Sequence, residues 1–171
     1  MKKQNPIKLA ARIKELAIDY VVILIYLLCL LGVNVLIYGL VLRGIPEFTM
    51  VQSQLVALLE SVIPVILFFS YLDYKKPYGT IGKRKAELKV YYKTPSFFRS
   101  LARNTIKFLP WHLGHMGVIE GIYTEFESVG SLVYTNAGTV LGLILLGMGL
   151  FRKDKRHLGD LIAGTQVVMK K

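Results

Sequence analysis

The 22 residues from Val21 to Leu42, VVILIYLLCLLGVNVLIYGLVL, carry no formal charge. An α-helix rises about 1.5 Å per residue, so roughly 20 residues cross the hydrocarbon of a bilayer. The run predicts a membrane span over residues 20–42. A cleaved secretory signal would have a shorter apolar core and a small-residue cleavage site, and neither is present. Hydrophobic residues make up 53% of the 171, and mean hydropathy is +0.46. Both argue against reading the run as the core of a soluble protein. One compact membrane domain is the expected organisation.

Residues 51–72 read as a second span, interrupted only by Glu60 and Pro64, and residues 131–151 as another, free of charge. The segment between them has two characters. Arg99, Arg103 and Lys107 recur every four residues, with Phe98, Leu101, Thr105 and Leu109 on another face, a pattern that suits a helix lying in the headgroup layer. After Pro110 the basic residues stop. Hydropathy alone leaves a crossing over 107–123 undecided, because Trp111 to Tyr123 is short unless it borrows the residues from Lys107 onward.

Charge distribution decides the count. Of the 22 Lys and Arg residues, all but Arg43 fall in three segments: the amino-terminal stretch (Lys2, Lys3, Lys8, Arg12, Lys14), the connection from Lys75 to Lys107, and the tail 152–171. Cytoplasmic segments collect Lys and Arg. The two termini and the loop 73–106 are therefore expected inside the cell, which requires an even number of crossings. The expected fold is an all-α membrane protein: a four-helix transmembrane bundle with an interfacial amphipathic helix. ELKVYY (87–92) and GTQVVMKK (164–171) are short, β-branched or aromatic stretches that would pair as a two-stranded cytoplasmic β ribbon, marginal unless the bundle supports it.

A net charge of +11 invites a nucleic-acid reading, but topology and attraction of juxtamembrane cations to anionic lipid account for it. No nucleic-acid partner is expected. The single cysteine, Cys29, excludes an intrachain disulfide. In YGTIGKRK (78–85) the glycine gap is two and Arg84 follows the lysine, so the phosphate-loop pattern fails. A turn into the strand is expected there, with Lys83, Arg84 and Lys85, like Arg99, Arg103 and Lys107, near lipid phosphates.

Arg12 and Asp19 at the entry to the first span, Thr80-Ile81-Gly82-Lys83-Arg84, Leu101-Ala102-Arg103-Asn104, and the closing run Arg156-His157-Leu158-Gly159-Asp160-Leu161-Ile162-Ala163-Gly164-Thr165-Gln166-Val167-Val168 together resemble the RDD family of small prokaryotic membrane proteins. The resemblance covers nearly the whole chain. The family is named for one arginine and two aspartates, which correspond by position to Arg12, Asp19 and Asp160. Two residues depart from its pattern: Glu87 stands where glycine is usual, and Gly159 where a histidine commonly precedes the last aspartate. The resemblance implies transport as a class, with sodium–proton exchange proposed for some members.

Seven residues apart on a helix, Arg12 and Asp19 share a face, as do Arg156 and Asp160 at four apart. An ion-pair network is expected, Arg12 with Asp160 and Asp19 with Arg156. The alternative has Arg12 reaching lipid phosphate and Asp19 bordering the helix. Deeper in the membrane, Glu60 precedes by four residues Pro64, which lacks the N–H that would have bonded the Glu60 carbonyl. With Glu120, His112 and His115 it is a candidate proton or cation carrier, the competing role for each being a hydrogen bond that fixes helix packing. HLGHMGVIE does not have helical zinc-motif spacing, so no metal, and no other cofactor, is expected. No nucleophile and base arrangement points to an enzyme. Gly114, Gly117 and Gly121 in one span and Gly138 and Gly142 in the next mark close helix approach, within the chain or in a homo-oligomer. Two function classes follow: a small secondary transporter exchanging monovalent cations for protons, or a non-transporting scaffold binding anionic lipid or a partner through its basic face.

Overall fold

The computed structural model describes residues 7–170; Lys2, Lys3 and Lys171, counted above with the inward-facing cations, lie outside that range. Helix α1 (Leu9–Leu36) continues through a π-helical turn to Val41. Helices α2 (Met50–Ala57) and α3 (Ile63–Tyr74) are one rod joined by a π-helical turn at Leu58–Val62. Thr49 starts that rod as a capping box, exchanging hydrogen bonds with Gln52 through side chain and backbone. A short α4 (Ile81–Lys85) and β1 (Leu88–Tyr92) lead to α5 (Phe97–Tyr123), α6 (Val129–Phe151), α7 (Leu158–Ala163) and β2 (Thr165–Met169). Gly164, at φ +64°, ends α7 in the left-handed conformation that glycine adopts without a Cβ penalty.

The distribution of side chains is inverted relative to a water-soluble protein. Leu28 is 67% exposed and Leu143 64%, whereas Arg103, Lys83 and Glu15 are among the largest side chains that are almost wholly buried. A belt of apolar surface on this scale does not persist in water, and it fits hydrocarbon. Among the described residues, three helical segments are long and apolar enough to cross a membrane: Leu9–Val41, Met50–Tyr74 and Val129–Phe151.

The segment read as a headgroup-layer helix followed by a separate crossing is instead one continuous helix, α5, passing through Pro110. Arg103, at the centre of its basic stripe, faces inward, because the carboxylates of α3 and α7 stand opposite it, while Arg99 and Lys107 are half-buried. At one end of the bundle Arg103 meets those carboxylates. At the other end the Tyr123 hydroxyl donates to the Phe48 carbonyl and bonds Ser53. Helix α5 thus runs the length of the bundle, about 40 Å for its 27 residues. Its centre packs Phe108 edge-on against Phe69, with Val65, Tyr26 and Trp111 around them.

Helices α5 and α6 meet at backbone distance. A Cβ on Gly138 would stand 2.8 Å from the Pro110 carbonyl, and Cβ atoms on Gly117 and Gly121 would overlap Thr135 and Phe126. Gly142 has ordinary clearance and Gly114 has open space beside it. Of the five expected packing glycines, three therefore set the interhelical distance through their own missing Cβ.

The ribbon forms as expected: β1 and β2 pair antiparallel, Val90 opposite Val167. Its support is a small apolar cluster of Leu88 and Val167 with Ile7 and Ala86. Glu87 enters β1 at φ 57°, a conformation in which a Cβ is disfavoured, which is the physical reason glycine is usual at this place. Replacing Glu87 with glycine is expected to stabilise the protein by about 0.5–1 kcal/mol, read as a higher thermal midpoint in detergent. An unchanged or lower midpoint would show that the Glu87 side chain offsets its backbone strain.

Candidate functional site

The residues with chemistry collect at the end of the bundle where α1 begins, α3 ends and α7 folds back. Arg12, Glu15 and Asp19 form one inward stripe on α1, all at most 3% exposed. Arg12 pairs with Glu15 and donates from Nε to the Gly149 carbonyl at 3.4 Å. Lys83 on α4 bridges Glu15 at 3.2 Å and Asp73 at 3.1 Å. Arg103 spans Asp73 and Asp160, 2.6 Å from each. Carboxylates of α1, α3 and α7 are thereby tied to cations of α4 and α5 in one continuous chain of ion pairs.

Asp19 has no cationic partner within ion-pair distance among the described residues. It accepts instead from the Thr80 hydroxyl at 2.7 Å and the Gly82 N–H at 2.8 Å, which seats α4 against α1. That seat requires glycine: a Cβ on Gly82 would overlap the Glu15 carbonyl and the Asp19 carboxylate. The turn expected into the strand is therefore a capped helical one, Thr80 accepting from the Lys83 N–H. Asp73 also accepts from the Thr80 N–H and from Asn104 Nδ2.

The expected pairings do not form. Arg12 bonds Glu15, not Asp160; Arg156 donates to the carbonyls of Thr165 and Asp160, not to Asp19. Arg12 and Arg156 take partners close in sequence, Glu15 and the Asp160 carbonyl, whereas Asp19 and Asp160 meet α4 and α5, elements whose approach the spacing does not encode. The headgroup role expected for Lys83 and Arg103 is likewise replaced, since both are buried and paired. Arg99 donates to the Ala163 carbonyl at 3.4 Å, Arg84 to the Gly79 carbonyl, and Lys85 is exposed.

Burial alone would raise the Asp160 pKa, but Arg103 beside it, with hydrogen bonds from Arg103 and Thr165, holds the carboxyl well below the usual carboxylate range. Lys83 loses hydration by burial, and Asp73 and Glu15 nonetheless hold its pKa above the ordinary lysine value. His157 has the opposite balance. Burial outweighs Asp160 and pushes it down to about 3, so its ring is neutral and its Nδ1 accepts from the Gly159 N–H at 3.1 Å. A Cβ on Gly159 would stand 2.5 Å from the Arg103 carbonyl, so this departure from the family pattern lets α7 seat directly on α5.

The membrane-depth candidates lie elsewhere and are joined to one another by no hydrogen bond. Glu60 sits in the π-helical turn; its carbonyl, freed by Pro64, accepts from the Tyr26 hydroxyl, and its carboxylate accepts from Asn34 Nδ2 at 3.0 Å. Glu120 accepts from the Ser128 hydroxyl at the far end of α5. His115 Nδ1 bonds the Trp111 carbonyl of its own helix, and His112 Nδ1 has no partner.

Glu15 and Asp73 belong to the network without having been singled out, and Thr80 and Thr165, named only within the family motifs, join it as hydroxyl donors to Asp19 and Asp160. Glu15 had a signal, falling between Arg12 and Asp19 on the same helical face. Asp73 had none beyond being acidic at the end of a span.

An apolar exterior around a buried ionic cluster at one end defines a small helical membrane protein. The model of the RDD family matches residues 8–164, and the chain belongs to that family. No curated protein and no solved structure matches it. The arginine and two aspartates of the family name, Arg12, Asp19 and Asp160, are all buried here, yet no two of them bond to each other; each anchors a different element.

Proposed function

We propose that this protein is a small secondary transporter that exchanges a monovalent cation for protons, with Glu60 as the coupling carboxylate. The observation that carries this reading is the setting of Glu60. It lies ten residues into the 25-residue segment Met50–Tyr74, about 15 Å along it, and no cation pairs with it among the described residues. A lone carboxylate at that depth costs about 2.5–3.5 kcal/mol on insertion scales. The cost is relieved either by a proton or by a bound cation, and one site that holds the two in alternation exchanges them. The π-helical turn adds support, since such turns concentrate at functional sites.

In this reading α5 is the fourth span, both termini and the loop 73–106 are cytoplasmic, and Glu120, His112 and His115 relay protons toward the opposite face. Association of copies would complete a pathway that four helices barely enclose. The network of Arg103, Asp73, Asp160, Lys83 and Glu15 acts as a staple: its members are mutually paired and leave no vacancy for a passing ion.

One observation favours a second reading, a scaffold that binds anionic lipid or a partner. The exposed cations Lys75, Lys76, Arg84, Lys85, Arg152 and Lys153 gather on the connections at the network's end. Proteoliposomes separate the two. Addition of Na⁺, Li⁺ or K⁺ is expected to dissipate an imposed pH gradient, and Glu60→Gln to reduce the flux to that of protein-free liposomes. Folded wild-type protein without ion-dependent flux would establish the scaffold reading instead.

A further inference from the structure

Between α1, α5, α6 and the start of α7 lies a cavity of about 220 Å³ that cation exchange does not use. Its charged lining comprises three cations, Arg12, Arg103 and Lys107, and one carboxylate, Glu15. Arg103 is committed to Asp73 and Asp160, and Arg12 to Glu15 and Gly149. Lys107 is uncommitted. Its ammonium lies over the rings of Phe69 and Phe108, 5.0 and 5.1 Å from their centroids, and it has no carboxylate or carbonyl partner among the described residues.

His157 supplies a second unused group in the same wall. It is 5% exposed, its Nδ1 is occupied by the Gly159 N–H, and its Nε2 has no hydrogen-bond partner. Asp160 Oδ2 is 3.3 Å away but outside the direction of the ring N–H. A neutral imidazole that accepts at Nδ1 carries its proton at Nε2. Two donors, the half-buried ammonium and the buried ring, thus border one cavity with no hydrogen-bond acceptor among the described residues, and for the ring that is a costly arrangement. Such a cavity suits a ligand that is anionic and rich in acceptor oxygens. The remaining wall is apolar, with Trp111, Leu145 and Leu146, the last 47% exposed.

We propose that this cavity binds the phosphate group of a ligand with net negative charge, Lys107 and His157 Nε2 donating to its oxygens while the apolar wall flanks the rest of the ligand. The phosphate of an anionic lipid and free inorganic phosphate share this chemistry. The apolar wall favours the lipid, whose chains would continue along α6.

The test is thermal unfolding of the full chain in a neutral detergent, titrated with phosphatidylglycerol, with phosphatidylcholine or with inorganic phosphate. Phosphatidylglycerol is expected to raise the midpoint, and Lys107→Gln to raise its half-saturating concentration about tenfold, the loss of one charge-assisted hydrogen bond. The same Lys107-dependent rise with inorganic phosphate alone would support the site and assign it to the free anion. Should Lys107→Gln fail to fold, Leu146→Trp fills the cavity from its apolar side without changing charge, and is expected to abolish the response. No response to either phosphate source, an equal response to phosphatidylcholine, or a response unchanged in the folded variants overturns the proposal.

Discussion

Replacing Arg103 with alanine is expected to destabilise the protein by roughly 3–5 kcal/mol, the penalty for stranding buried charges whose partner has been removed. Arg103 is 1% exposed and lies 2.6 Å from Asp73 and from Asp160, neither of which is exposed at all. Lys83 still faces Asp73 after the substitution, but Asp160 keeps only the Thr165 hydroxyl, the His157 N–H and a neutral ring. Lysine is not an adequate substitute. Arg103 reaches its two carboxylates with different nitrogens of one planar fork, and an ammonium is a single point. The comparison is Arg99→Ala, whose guanidinium makes one long hydrogen bond to the Ala163 carbonyl, with an expected loss below about 1 kcal/mol. Thermal midpoints and yields of folded protein in detergent measure both. Equal losses for Arg99→Ala and Arg103→Ala would mean that the network does not hold α7 to the bundle.

Gly82→Ala is expected to cost about 3 kcal/mol, although it adds one methyl group. The added carbon would overlap the Glu15 carbonyl, which is helical backbone, as well as the Asp19 carboxylate. Backbone cannot rotate aside as a long side chain can, so α4 must lift from α1, and overpacking of this kind sits at the upper end of its usual range. Lifting α4 also breaks the hydrogen bonds from Gly82 and Thr80 to Asp19 and draws Lys83 away from Glu15. Gly114→Ala is the control, because nothing lies within 4 Å of the added carbon. Protease sensitivity of the connection 75–96, alongside the thermal midpoint, would register the release of α4. A Gly82→Ala protein as stable and as protease-resistant as the wild type would show that α4 is not seated as described.

These two residues mark the boundary of what local pattern conveys. Membrane insertion was readable because the free energy of placing apolar residues in hydrocarbon accumulates along contiguous sequence. The ribbon was readable because β-branched stretches bounded by turn residues are local signals. Arg103 was read as a headgroup contact because a basic stripe on an otherwise apolar helix has that meaning when the helix is considered alone. Its reversal to the inside depends on Asp73 and Asp160, 30 and 57 residues further away along the chain. Gly82, part of a motif quoted for its order alone, acquires a physical role only when α1 lies against it.

From its order of residues alone, the chain determined that long apolar segments enter a membrane, that a β ribbon joins the connection to the tail, and that Arg12 and Asp19 face the same way. Those properties arise from neighbours in sequence. Only the packed structure decided which acid meets which base across elements, because burial makes a close counter-charge or hydrogen-bond donor valuable and proximity between helices is not written in the spacing within any one of them.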